Sequence, residues 1–151
     1  MATIYYSPDC RAGNNVVPRA NIGLNVVCGA FNIATAGEGG GVAFVDEDVI
    51  QMVKVPAGAT IVDCILDVCD LDSSTGIRVS VGYGATSDLE TLIAINDGAI
   101  SGEIIRMDVA GGSQLAFAAD DTIDVHVTTV ASGTAATTGI IKLTVFYTMD
   151  A

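Results

Sequence analysis

The chain of 151 residues has no tryptophan, only 5% aromatic residues, a single histidine and six basic residues. Each shortage closes off a class of protein. With so few large rings, any core must be built from small aliphatic side chains, which suits tightly packed sheets. The material is there, since half of the residues are hydrophobic. Six bases against 18 acids give a formal charge of −12. Such a surface repels nucleic-acid phosphates and anionic lipid, so neither is expected as a partner. No run approaches the ~18 apolar residues of a membrane span. The start, "MATIYYSPDC", has neither a basic region nor an apolar stretch of signal-peptide length. Synthesis and folding in a reducing cytosol are expected.

What is present is unevenly placed. Residues 1–37 contain Arg11, Arg19 and Asp9, a net of +1, whereas residues 38–151 contain 4 bases and 17 acids, a net of −13. The length allows one domain with one real core. Met1 to about Ala20, with "SPDCRAGNNVVPRA", reads as an extended arm. Residues 21–151 read as a single domain. The alternative for the arm is an edge strand of that domain.

Strands dominate. In "TIDVHVTTV" (Thr122 to Val130), Ile123, Val125 and Val127 alternate with Thr122, Asp124, His126 and Thr128. A period of two marks a strand with one buried face. "IIKLTVFYT" alternates likewise, and the small polar loop between the two predicts a long antiparallel hairpin at the centre of the fold. "RVSVGY" (Arg78 to Tyr83), "IIRMDV" (Ile104 to Val109) and "VIQMVKVP" (Val49 to Pro56) are further strands. "IGLNVVCGAF" is another, weakened by two glycines. Helix signals are few; Ser87 three residues before Glu90 has capping-box spacing and predicts a turn or two over "SDLETLIA". Short strands separated by Gly, Asp and Ser turns predict an all-β fold, an antiparallel β-sandwich or barrel.

The stretch "IVDCILDVCDLDSSTG" (Ile61 to Gly76) looks most like a site. As a strand it puts Val62, Cys64, Leu66 and Val68 on one face. Asp63, Asp67 and Cys69 share the other with Ile61 and Ile65. Cys64 and Cys69 then point to opposite sides and cannot share a metal or a disulfide. A helix separates them too, by about 140°. Cys10 and Cys28 are remote in sequence, and there is no CxxC, whereas structural zinc needs short paired spacings. All four thiols are expected to be reduced and metal-free, with Cys28 and Cys64 buried as small hydrophobes. Asp70, Asp72 and Ser74 alternate as in a calcium loop. Thr75 then stands where the sharp-turn glycine belongs, and Val81 where the bidentate glutamate belongs. A turn with solvated carboxylates is expected.

Catalytic groups are no better marked. Asp124 lies two positions from His126 on the same face, ~6.5 Å away along a strand, too far for a triad hydrogen bond. His126 is expected to be solvated. "GEGGGVAF" (Gly37 to Phe44) has Val42 where a dinucleotide fingerprint needs its last glycine, and "GIIK" lacks phosphate-loop spacing. No catalytic residue, metal site or cofactor is expected.

The run "VIQMVKVPAGATIVDCILDVCDLDS", then "VSVGYG", "ADDTIDVHV" and the closing "GIIKLTVFYT", resembles small virion proteins of tailed bacteriophages, encoded near the major capsid protein. The resemblance covers about Asp48 to Thr148. It departs from the pattern at Phe117-Ala118-Ala119, where a tyrosine-threonine approach to Asp120 and Asp121 is usual. It implies a capsid decoration (cement) protein: a jelly-roll-like sandwich, usually a homotrimer, seated where capsomers meet and bound to the major capsid protein. It implies placement on the capsid exterior after synthesis in the host bacterial cytoplasm. No cofactor and no reaction are implied, so the chain is not expected to be an enzyme. The arm, through Arg11 and Arg19, is the expected contact with shell or neighbouring subunit. The alternatives are a trimeric head or tail fibre base, or a host-surface adhesion module.

Overall fold

The computed structural model describes residues 4–7, 23–35, 38, 40–41, 43–71, 76–84, 90–108, 116–129 and 136–149. Among these lie nine strands. In chain order they are β1 (Ile4–Tyr6), β2 (Asn25–Asn32), β3 (Val49–Val55), β4 (Ala59–Val68), β5 (Arg78–Tyr83), β6 (Ile93–Asn96), β7 (Glu103–Arg106), β8 (Asp121–Thr129) and β9 (Ile140–Met149). One 3-10 turn, Gly98–Ile100, accompanies them. Sheet A has the order β1-β3-β8-β5-β6 and sheet B the order β2-β9-β4-β7. The fold is all-β, and of the sandwich and the barrel that the alternation allows it is the sandwich.

Small aliphatics fill the space between the sheets. Ile50, Val53, Val55, Val79, Val81, Ile123, Val125 and Val127 come from sheet A. Ile61, Cys64, Leu66, Val68, Ile141, Leu143 and Val145 come from sheet B. Three aromatic rings close one end: Tyr5 of β1 stands edge-on to Phe31 and Phe44, with centroids 5.9 and 5.4 Å away. Gly29 allows close approach of the sheets, because a Cβ there would overlap the Met52 carbonyl oxygen and crowd Val53. This glycine is thus a packing requirement of β2 rather than a weakness.

The expected β8–β9 hairpin does not form. β8 is the middle strand of sheet A and β9 an inner strand of sheet B, so the two lie in different sheets. Alternation cannot distinguish a return within one sheet from a crossing to the other. Here most consecutive strands cross, and of the consecutive pairs only β5 and β6 are hydrogen-bonded neighbours. The expected helix over Ser87–Ala94 is also corrected where it can be seen. Ile93–Asn96 is strand β6, and Leu92 bonds β5 through Val81. Ser87 itself lies outside the described residues.

Two motifs seen in the sequence meet at one crossing. Pro56 follows the end of β3, and Gly58 takes a φ of +80° to start β4 in the other sheet. The Ala57 N–H donates to Asp120 Oδ1 at 2.9 Å, and the Gly58 N–H to the Phe117 carbonyl at 2.7 Å. The segment before β8 therefore serves as a clamp for the "VPAGA" turn.

The first residues of the chain also join the sandwich. β1 runs parallel to β3, with Ile4 opposite Val49, the one parallel pair in an otherwise antiparallel sheet. Ser7 follows, buried, and satisfies the irregular part of β3: its N–H donates to the Gln51 carbonyl and its hydroxyl to that of Met52. Residues 8–20 of the expected arm lie outside the described residues.

Candidate interaction surfaces

The outer face of sheet B is open. Its cross-strand rows read Val26–Phe146–Asp63, then Cys28–Thr144–Ile65–Arg106, then Ala30–Lys142–Asp67–Ile104. Charge lies on the β4 side, where Arg106 pairs with Asp63, and Lys142 Nζ lies 3.5 Å from Asp67 Oδ2. The β2 side carries none. Leu24 and Val26 are 60% and 53% exposed, and Ile104 on β7 is exposed too.

The "IVDCILDVC" cluster lies in this sheet as a structural strand. Val62 was expected to face inward but is exposed. The register of β4 against β9 slips between Ile61 and Asp63. That bulge lets both Ile61 and Cys64 face the core. Cys64 is buried, and burial followed by the charges of Asp63 and Asp108 pushes its thiol up from 9.0 to about 12. Cys69 is half-buried, and burial raises it as well, tempered by a main-chain hydrogen bond at Ile140. Cys28 departs from expectation: it is exposed, its Sγ 3.5 Å from Thr144 Oγ1. It lies on the outer face because Gly29 takes the inner one. These three thiols are free; Cys10 lies outside the described residues.

The outer face of sheet A differs. His126 of β8 stands between Val49 and Ser80, and Asp124 between Gln51 and Gly82. Ser80, Asp124 and His126 are all buried, Asp124 being 2% and His126 8% exposed. The expectation of a solvated His126 is therefore wrong. Its Nε2 lies 3.5 Å from Glu47 Oε2, at a turn that docks on β8 through Glu47 N–H to the Val127 carbonyl. Burial pushes the Asp124 carboxyl up from 3.8 to about 7; a hydrogen bond from Thr122 opposes this, and the charge of Asp121 adds to it. Among the described residues, Ser80 Oγ, Asp124 Oδ1 and both His126 ring nitrogens have no hydrogen-bond partner. Ser80 and His126 are directly opposite yet unbonded, so the trio is no catalytic relay. A sequence signal for this stripe did exist. β5 offers only serine and glycine opposite the polar residues of β8, the small outward side chains of a strand covered on both faces.

Among the described residues no group of three or more His, Cys, Asp or Glu side chains could hold a metal ion. Asp70 is exposed, while Asp72 and Ser74 lie outside the described residues, as do Arg11, Arg19, Gly37 and Val42.

No family model and no curated protein matches the chain. Solved structures do. A chain of the capsid of Ralstonia phage GP4 superposes with a TM-score of 0.76 at 23% identity, over 98% of this chain and 99% of that one. A chain of the cyanophage Pam1 capsid asymmetric unit gives 0.63 at 18% identity, over 95% and 99%. One from the acidic stable capsid of Helicobacter pylori bacteriophage KHP30 gives 0.55 at 14%, over 83% and 89%. At such identities the likeness is one of fold, and for the first two it runs nearly end to end in both partners.

Proposed function

We propose that this chain is a structural protein of a phage virion that decorates the capsid, bridging capsomer junctions as a homotrimer bound to the major capsid protein. The observation that carries the reading is the nearly end-to-end match of its sandwich to chains of two phage capsids, with a third matching over 83% of this chain. The motifs behind the sequence resemblance support it, because they are the clamped turn and core strands of this same fold. The task is mechanical, with no cofactor and no reaction. Many copies spanning two capsomers each add interface area, and they stabilise the shell by mass action and avidity.

In this reading the domain of residues 21–151, with its net charge of −13 beyond residue 37, faces solvent on the capsid exterior. The N-terminal segment carries attachment. β1 and Ser7 belong to sheet A, so attachment is assigned to Arg11 and Arg19 and not to residues 4–7. Arg11 and Arg19 would make bidentate pairs with shell carboxylates.

The test is reconstitution on particles stripped of this protein, with cryo-electron microscopy for copy number and position. The double variant Arg11→Ala/Arg19→Ala should fold normally and bind at least ~10-fold more weakly, since charge-assisted pairs contribute about 1.5–3 kcal/mol each. Unchanged affinity would move the anchor to the sandwich. Absence of the chain from purified particles would remove the virion role itself.

A further inference from the structure

We infer that the free edge of β2 is a self-association site, at which a second copy of this chain pairs antiparallel about Cys28 and joins two B sheets into one. The inference concerns the purified chain alone: the two-fold contact joins two single copies, or one copy from each of two trimers where the homotrimer of the virion reading forms, and the assembly is even-numbered either way.

Four strands have an outer edge: β1 and β6 in sheet A, β2 and β7 in sheet B. An open edge presents unpaired N–H and C=O groups and is a template for pairing, unless it is short, charged or covered. β1 has three residues, and β7 has four with Glu103 and Arg106 at its ends. β6 also has four, and the segment after β7 occupies it: the Ala94 N–H donates to Asp108 Oδ1 at 2.9 Å, and the Asp108 N–H to the Leu92 carbonyl. β2 has eight residues, "NVVCGAFN", with no charge.

The direction of its free groups follows from its two ends. The Ile33 N–H donates toward β9, to the Gly139 carbonyl. The Asn32 N–H turns the other way and is taken by the Glu38 carboxylate. In an antiparallel ladder successive residues point their main-chain groups to opposite sides. Val26, Cys28 and Ala30 therefore direct theirs to the open side, and all three are exposed. Among the described residues none partners them.

Glu38 closes one end of this row, leaving Val26, Cys28 and Ala30 with Cys28 at the centre. A two-fold axis must pass through a residue, because opposed residues have to share a face. The axis at Cys28 sets Cys28 against its own copy and Val26 against Ala30, and makes about six main-chain hydrogen bonds. Leu24, Val26 and Phe146 would bury apolar surface beside the joint.

Charge selects a second copy as the occupant. A chain of net charge −12 repels itself over most of its surface, yet between Asp9 and Glu38 the sequence has no acidic residue. β2 lies inside that stretch. Two copies can meet there, edge to edge, without bringing carboxylates together.

Cys28 makes the experiment possible. Directly opposed residues have Cα atoms ~4.5–5.5 Å apart, within disulfide range. In a Cys10→Ser/Cys69→Ser background, diamide would accept the two electrons and two protons released as two Cys28 thiols join. The expected result is a disulfide-linked pair of copies, together with sedimentation of the untreated chain as an even-numbered assembly. Ala30→Lys should halve that assembly, raise its dissociation constant at least tenfold and abolish the cross-link, with an unchanged circular dichroism spectrum. Ile104→Lys, exposed on the far edge of the same sheet, should change neither. A chain that stays monomeric, or that stops at a trimer, at its highest soluble concentration would overturn the inference. So would an assembly that survives Ala30→Lys, or one in which Cys28 does not cross-link.

Discussion

Strand β8 lies between two neighbours in sheet A, and its polar residues Asp124 and His126 are buried like the aliphatics on its other face. Strand β9 lies between two neighbours in sheet B, yet its polar face, with Lys142, Thr144 and Thr148, is exposed or half-exposed. The two strands have the same alternation and comparable lengths. What differs is the surrounding of the second face. Period two reports which residues share a face; it does not report what that face meets. The difference has an energetic side, because each buried polar atom left unpartnered costs about 1–3 kcal/mol. Sheet A carries that cost at Ser80, Asp124 and His126, while sheet B keeps its charges in water.

The comparison is broken most severely at the point where the sheets come closest. Gly29→Val puts a β-branched side chain against the Met52 carbonyl and Val53, and backbone cannot yield as a flexible side chain can. A loss of about 3 kcal/mol or more is expected in chemical denaturation. Gly23→Ala, with nothing within 4 Å of its added Cβ, should lie within about 0.5 kcal/mol of the parent. Equal midpoints for the two variants would show that the sheets separate at no cost.

The next effect isolates the buried face of sheet A. Asp124 has a folded-state value of about 7, above its ordinary 3.8. Between those values the folded chain holds a proton that the unfolded chain has lost. Its contribution is therefore fully present below about pH 4 and lost as pH rises through 7. Asn keeps the shape and cannot ionise. The stability of Asp124→Asn relative to the parent should thus improve by roughly 2–3 kcal/mol on going from pH 5 to pH 7.5. Parallel pH profiles for parent and variant would mean that Asp124 is not desolvated.

Much of this was legible in the residues themselves. Each of the seven stretches read as strands contains a strand, because each has a period of two or an apolar run closed by a turn, although the one begun at Ile104 ends at Arg106 and not at Val109. The pairing of β8 with β9 was not legible, since the choice between return and crossing is made by partners distant in sequence, β3 and β5 for one and β2 and β4 for the other. Val62 was misplaced by a bulge, which shifts the face of everything beyond it and leaves no compositional trace. The edge of β2 had its signal in the acid-free stretch between Asp9 and Glu38. Its arginines are half of what that stretch says, because an uncharged strand among acids is as informative as two bases.

The smallest effect tests the open face of sheet B. Lys142 and Asp67 stand opposite each other on β9 and β4, 3.5 Å apart, with side chains 57% and 47% exposed. Water screens such a pair, and fixing two flexible side chains costs entropy that offsets most of the attraction. Lys142→Ala should therefore change stability by about 0.5 kcal/mol or less, and added salt should not separate the two proteins further. Asp63 and Arg106 provide the internal gauge on the same face, because the Asp63 side chain is only 22% exposed. Arg106→Ala should cost more, up to about 1 kcal/mol, as the remaining carboxylate is the less hydrated of the two. If Lys142→Ala proves the costlier substitution, the face of sheet B is covered in solution as that of sheet A is within the chain, and the contrast between the two sheets disappears.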